Sequence, residues 1–111
     1  MTLADVVQRL ELKVLSGSEL LEREVTGGYT GDLLSDVMAN ADTGQVWITL
    51  QAHINIVAVG VLRELTGIIL IKDRTPDEAT LTKAKQENVP ILQSDRPAFE
   101  ISGLLFNLLN E

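Results

Sequence analysis

From Gly31 onward this chain alternates helical and β-rich apolar runs with short connections, and one of the β-rich runs, Ile68–Ile71 (IILI), is apolar at every position. A strand that alternates apolar and polar residues can leave one face in water, whereas an uninterrupted apolar strand is covered on both faces. The order αβαβαβα therefore points to helices packed on a largely parallel sheet.

The rest of the chain fits that frame. Leu3, Val6, Val7 and Leu10 have helical spacing, and a short strand over Leu12–Leu15 is broken by Ser16-Gly17-Ser18. Arg23–Thr26 reads as a second strand ended by Gly27-Gly28, and Thr30 reads as the cap of a helix with the stripe Leu33, Leu34, Val37, Met38 and Ala41, which Asp42-Thr43-Gly44 closes. Strand Gln45–Leu50 leads to helix Asn55–Leu65, which Gly67 stops. Thr75-Pro76-Asp77-Glu78 carries the cap, first-turn proline and acidic residue of a helix start. Val89–Gln93 is the fifth strand, and Pro97 opens a last helix that ends near Asn110. The expected fold is a three-layer α/β/α domain, residues 1–111 forming one unit around a largely parallel or mixed sheet of about five strands. A chain of 111 residues buries roughly two-thirds of its unfolded surface at this size, enough for a real core.

Charge and composition exclude several classes. The net charge of −7 would repel a phosphate backbone, so nucleic acid is not an expected partner. The absence of cysteine removes disulfides, thiolate catalysis and cysteine-ligated metals. Aromatic residues make up 4% of the chain, which leaves the core to Leu, Ile, Val and Ala. The opening MTLADVVQRLE lacks a basic start followed by an apolar stretch, and reads as the first helix of a cytoplasmic domain rather than a secretory signal. Thr43–Leu62 runs 20 residues without formal charge, about the length of a membrane span, but Gln45, Gln51, His53 and Asn55 lie within it. A buried strand followed by a buried helix accounts for it better, and no membrane partner is expected.

No GxxxxGK[ST] phosphate loop, GxGxxG fingerprint or GxSxG elbow occurs. Gly27, Gly28 and Gly31 cluster without a following Lys or Arg, as a turn that needs positive φ would. Asp32, Ser35 and Asp36 share one polar face if they are helical; the two carboxylates form a cation site completed by Asn40, Ser35 and Asp36 are walls of a pocket, or the face is simply solvated. Gln51, His53 and Asn55 form a compact polar group at a strand-to-helix junction, where ligands of open α/β sheets collect. His53, the only histidine, is open to three roles: general base, ligand donor, or the polar end of a strand. The first turn of helix Asn55–Leu65 has no carboxylate, which leaves the amides of Ile54–Ile56 for an anion. Parallel strands would bring His53, Lys72, Arg74, Ser94 and Arg96 to one sheet edge, as a basic rim or as ordinary loop charges, with Asp73 and Asp95 in the same loops. The candidate ligand-binding residues are thus Ser35, Asp36, Gln51, His53, Asn55, Lys72, Arg74 and Arg96. No catalytic set, metal site or cofactor is expected.

Two helices carry more apolar surface than a single stripe requires: Asn55–Leu65, with Gly60 inside it, and Pro97–Asn110, with Phe99, Leu104, Phe106 and Leu109. A homodimer is the expected outlet, with Asn55–Leu65 preferred as its interface because Ala58 and Gly60 allow close approach.

The stretch GGYTGDLLSDVMANADTGQVWITLQAHINIVAVGVLREL, followed by GIILIKDRTPDE and VPILQS, resembles the DRTGG domain family from about Leu12 to the C-terminus. The family's eponymous string is divided here between Asp73-Arg74-Thr75 and Thr26-Gly27-Gly28. The resemblance implies an α/β fold similar to the N-terminal domain of HPr kinase. It also implies a module that regulates or dimerises beside other domains, among them nucleotide-binding CBS domains of regulated pyrophosphatases and the N-terminal part of some phosphotransacetylases. A stand-alone copy would then be a non-catalytic regulatory module that binds a small anionic ligand or nucleotide and acts on a partner enzyme. The alternative is a small hydrolase or phosphotransferase using His53.

Overall fold

The computed structural model describes residues 1–111 as a five-stranded sheet with helices on both faces. The strands are β1 (Lys13–Ser16), β2 (Gly27–Thr30), β3 (Gln45–Thr49), β4 (Gly67–Leu70) and β5 (Ile91–Gln93). Their order across the sheet is β1-β5-β4-β3-β2; β2 through β5 are parallel and β1 runs antiparallel on the edge beside β5. The expected three-layer α/β/α fold with a mixed, mostly parallel sheet is what forms.

Helices α1 (Leu3–Leu10) and α5 (Ala98–Leu109) cover one face of the sheet, and α2 (Leu34–Asn40), α3 (Asn55–Leu62) and α4 (Glu78–Gln86) cover the other. On the first face Leu3, Val6, Ile101 and Leu105 pack on Val46, Ile48, Ile69 and Leu92. On the second, Val37, Ile56, Val57 and Ala84 pack on Trp47, Ile68, Leu70 and Ile91. Every residue of β4 is buried, as its apolar run requires. The uncharged Thr43–Leu62 run becomes β3 and α3, and no helix is long and apolar enough to cross a membrane.

Several boundaries differ from the sequence expectation, each for a local reason. The second strand is Gly27–Thr30, not Arg23–Thr26. It lies at the sheet edge, and a Cβ on Gly28 would come 2.9 Å from Leu105 Cδ2; Gly28 lets α5 close over the strand instead of ending it. Thr30 caps nothing; its hydroxyl meets Ser102 Oγ at 2.8 Å, and α2 begins after Leu33. Helix α3 ends at Leu62, before Gly67, because Glu64 takes the left-handed conformation (φ 52°) that closes it. The cap of α4 is Asp77, whose carboxylate accepts from Thr80 N at 2.9 Å, rather than Thr75.

Candidate functional site

Because β2, β3 and β4 run parallel, the loops that leave their carboxyl ends meet at one sheet edge. Asp32 follows β2, Leu50–His53 follow β3, and Arg74, Thr75 and Asp77 follow β4; together they line an open hollow of about 450 Å³. All three strands send their chains to the same face, whereas β5 leads to α5 on the opposite face. The divergence between β4 and β5 is where a crevice would open in such a sheet. Here the two loops are stitched together: Lys72 N–H donates to Arg96 O at 3.1 Å and Asp73 N–H to Ser94 O at 2.8 Å. Lys72 and Asp73 both adopt positive φ, 53° and 54°, to make those bonds. The hollow therefore lies one strand over, between the β3 and β4 loops.

Asp32 organises one wall. Its Oδ1 accepts from Thr49 Oγ1 at 2.9 Å and from Leu50 N at 2.7 Å, while Gln51 Nε2 donates to its carbonyl at 2.9 Å. The β2 and β3 loops are thereby locked to each other. Asp77 organises the opposite wall: its Oδ1 accepts from Thr80 N and, at 2.7 Å, from Thr80 Oγ1. These bonds hold the Asp77 carboxyl below the ordinary 3.8. In both aspartates the second carboxylate oxygen has no partner in the chain.

His53 sits at the mouth with its Nδ1 accepting the Asn55 N–H at 3.2 Å. A nitrogen that accepts carries no proton, so the neutral ring has its N–H at Nε2. The amides expected to be free for an anion are thus partly in use, since Asn55 N bonds the imidazole and Ile56 N donates to His53 O at 3.0 Å. Arg74 is the cation of the hollow, and its guanidinium has no hydrogen bond or ion pair within the chain.

Of the eight candidate residues, the fold brings Gln51, His53 and Arg74 together. Asn55 faces a separate hollow over α3. Lys72 is exposed on the crest of the stitched loops. Arg96 lies on the far side of that seam, near Glu11 (3.6 Å) and Glu100 (3.8 Å). Ser35 is exposed on α2. Asp36 works within the fold: its Oδ2 accepts from Tyr29 Oη at 2.5 Å and its Oδ1 from Asn40 Nδ2 at 3.0 Å. Asp32 and Asp36 do not form an i,i+4 pair, because α2 begins after Asp32 and the two carboxylates face different loops. The sequence places Asp32 in a polar group without making it a ligand-binding candidate, and it gives no sign of Thr75 and Asp77 as lining residues. Placing β2 at Gly27–Thr30 would have put Asp32 at the carboxyl end of a parallel strand.

No family model and no curated protein matches the sequence. Among solved structures the chain is similar to the CBS and DRTGG domains of the regulatory region of Clostridium perfringens pyrophosphatase, a structure complexed with the activator diadenosine tetraphosphate. The TM-score is 0.71 at 14% identity over 94% of this chain. The chain spans 45% of that structure's length. At this identity the likeness shows the fold, which is DRTGG-like.

Proposed function

We propose that this protein is a regulatory module that binds a small phosphorylated ligand, a nucleotide in preference to a bare anion, in the hollow between the β3 and β4 loops, dimerises, and acts on a partner enzyme. The observation that carries the reading is the unpaired guanidinium of Arg74 beside His53 in a hollow whose other charged groups are Asp32 and Asp77. A phosphoryl group matches Arg74 and the Nε2–H of His53. Free phosphate would also meet two carboxylates, whereas the hydroxyl and amino donors of a nucleoside complement the unused oxygens of Asp32 and Asp77. The structural neighbour, a regulatory region crystallised with a nucleotide activator, supports the same class of ligand.

Catalysis by His53 as a general base has less support. Its neutral ring already uses Nδ1 to accept the Asn55 amide, so no free lone pair faces a substrate unless that bond breaks. Calorimetry with adenine nucleotides, inorganic phosphate and adenosine tests the proposal. Binding of a nucleotide that is stronger than that of phosphate or adenosine alone is expected, at micromolar affinity that weakens with salt. No heat with any of them would overturn it. Turnover of phosphoesters or phosphoanhydrides abolished by His53→Ala would replace it with the enzyme reading.

A further inference from the structure

We propose that the outer edge of β2 and the exposed stripe of α5 form one docking face for a second copy of this chain; the inference rests on the dimeric reading above and specifies its surface. Strand β2 pairs only with β3, so its other edge presents unpaired backbone groups. Alongside it α5 turns Phe99, Gly103, Phe106 and Asn110 outward at helical spacing, with Phe99 93% and Phe106 67% exposed. A hydrogen bond between the hydroxyls of Thr30 and Ser102 ties the strand end to the helix, and a groove of about 440 Å³ runs between them.

Charge and area argue for a second copy as the occupant. Each chain carries −7, so self-association across charged surface meets repulsion, and a basic partner would be drawn to the acidic surfaces elsewhere. Val25–Gly31 and Ile101–Asn110 contain no charged residue. The two exposed phenylalanines offer on the order of 300 Å² of ring surface per copy, over a third of the roughly 800 Å² that each partner of a stable complex buries. The remainder is available from Gly103, Asn107, Asn110 and the β2 edge. A two-fold axis beside β2 pairs the strand antiparallel with its copy and joins two five-stranded sheets into one.

Helix α3, the interface that the sequence favours, is the weaker candidate. Its Gly60 is explained within the fold, where a Cβ would come 3.2 Å from Val89 and 3.4 Å from Ile68. Its exposed Val61 and Leu62 border Lys83 and Glu87.

Sedimentation equilibrium of the full chain tests the face. The wild type is expected to be a dimer at micromolar concentration, with Phe106→Glu raising the dissociation constant roughly tenfold or more and Leu62→Glu leaving it within about twofold. Circular dichroism checks the fold, and Phe99→Glu, at a still more exposed position, gives the same reading should Phe106→Glu disturb it. Amide exchange of Gly28 and Thr30 is expected to slow as dimer forms. A dimer that survives both phenylalanine variants, or that leaves those amides unprotected, overturns this face without touching the dimer itself. A wild-type monomer up to about 100 μM overturns both, and leaves nucleotide binding to be judged by calorimetry alone.

Discussion

The hydroxyl of Tyr29 donates to Asp36 Oδ2 at 2.5 Å, joining β2 to α2. That bond, then burial, then the carboxylate's charge, raise the phenol above its ordinary 10.0. Tyr29 is the only tyrosine, so the rise in absorbance near 295 nm on phenol ionisation reports it alone. Ionisation is expected at higher pH in the native protein than in denaturant, and Asp36→Asn should return it toward the ordinary value. Because the folded pKa is the higher one, the stability from this contact is complete below pH 10 and is lost as pH rises through the raised value.

Asp77 and Asp5 act at the other end of the pH scale. Asp77 is held low by the hydroxyl and then the amide of Thr80, and Asp5 by the backbone N–H and then the hydroxyl of Thr2. Both folded values lie below the ordinary 3.8, so their contribution is complete above that pH and is lost as pH falls through the depressed values. Thermal melts between about pH 5 and 2 should show a falling Tm. Asp77→Asn, which keeps a capping acceptor that does not titrate, should flatten the decline.

Within the hollow, Arg74→Ala is expected to weaken nucleotide binding about tenfold or more, the loss of one charge-assisted contact. Lys72→Ala and Arg96→Ala are expected to change it by no more than about twofold, because both lie outside the hollow and act only through screened charge. Calorimetry on the three variants at one salt concentration decides this, and equal losses would restore the broad basic rim.

Asp32 should matter to stability as well as to binding. Asp32→Ala removes the acceptor of Thr49 Oγ1 and Leu50 N, and a cost of about 1–2 kcal/mol is expected. Thr49 is buried and Leu50 half-buried, so water only partly replaces the carboxylate. Urea denaturation measures the cost.

The sheet's parallel strands were legible because strands covered on both faces leave apolar runs that no surface helix shares. Ile68–Ile71 announces itself in this way, and Val46–Leu50 nearly does. Strand β2 was not legible: Gly27 and Gly28 read as a break, and only the position of Leu105 across the fold explains why glycine is needed at position 28. The site was read in part for the same reason. His53 and Arg74 follow strands whose ends could be placed, and so their meeting could be anticipated. Asp32 follows the misplaced strand, and Asp77 was absorbed into a helix start two residues too early. Lys72 and Arg96 were separated from the hollow by the backbone bonds between the β4 and β5 loops, which side-chain patterns do not encode.

The contact between Gly28 and Leu105 gives a prediction in which neither residue can be judged alone. Leu105 is 2% exposed in the core between the sheet and α5, and Leu105→Ala should cost about 2–5 kcal/mol through lost burial and a residual cavity. Gly28→Ala sets a methyl 2.9 Å from Leu105 Cδ2; the leucine must rotate or α5 must move outward, at about 1–3 kcal/mol. In the double variant the alanine methyl enters space that the shortened side chain has vacated, so strain and cavity partly cancel. The two costs should therefore fall short of additivity by about 1 kcal/mol, within the range for residues in direct contact. Urea melts of the four proteins in the cycle measure the coupling. Strict additivity would mean that β2 does not lie under α5 at Gly28, and the position of the edge strand would have to be redrawn.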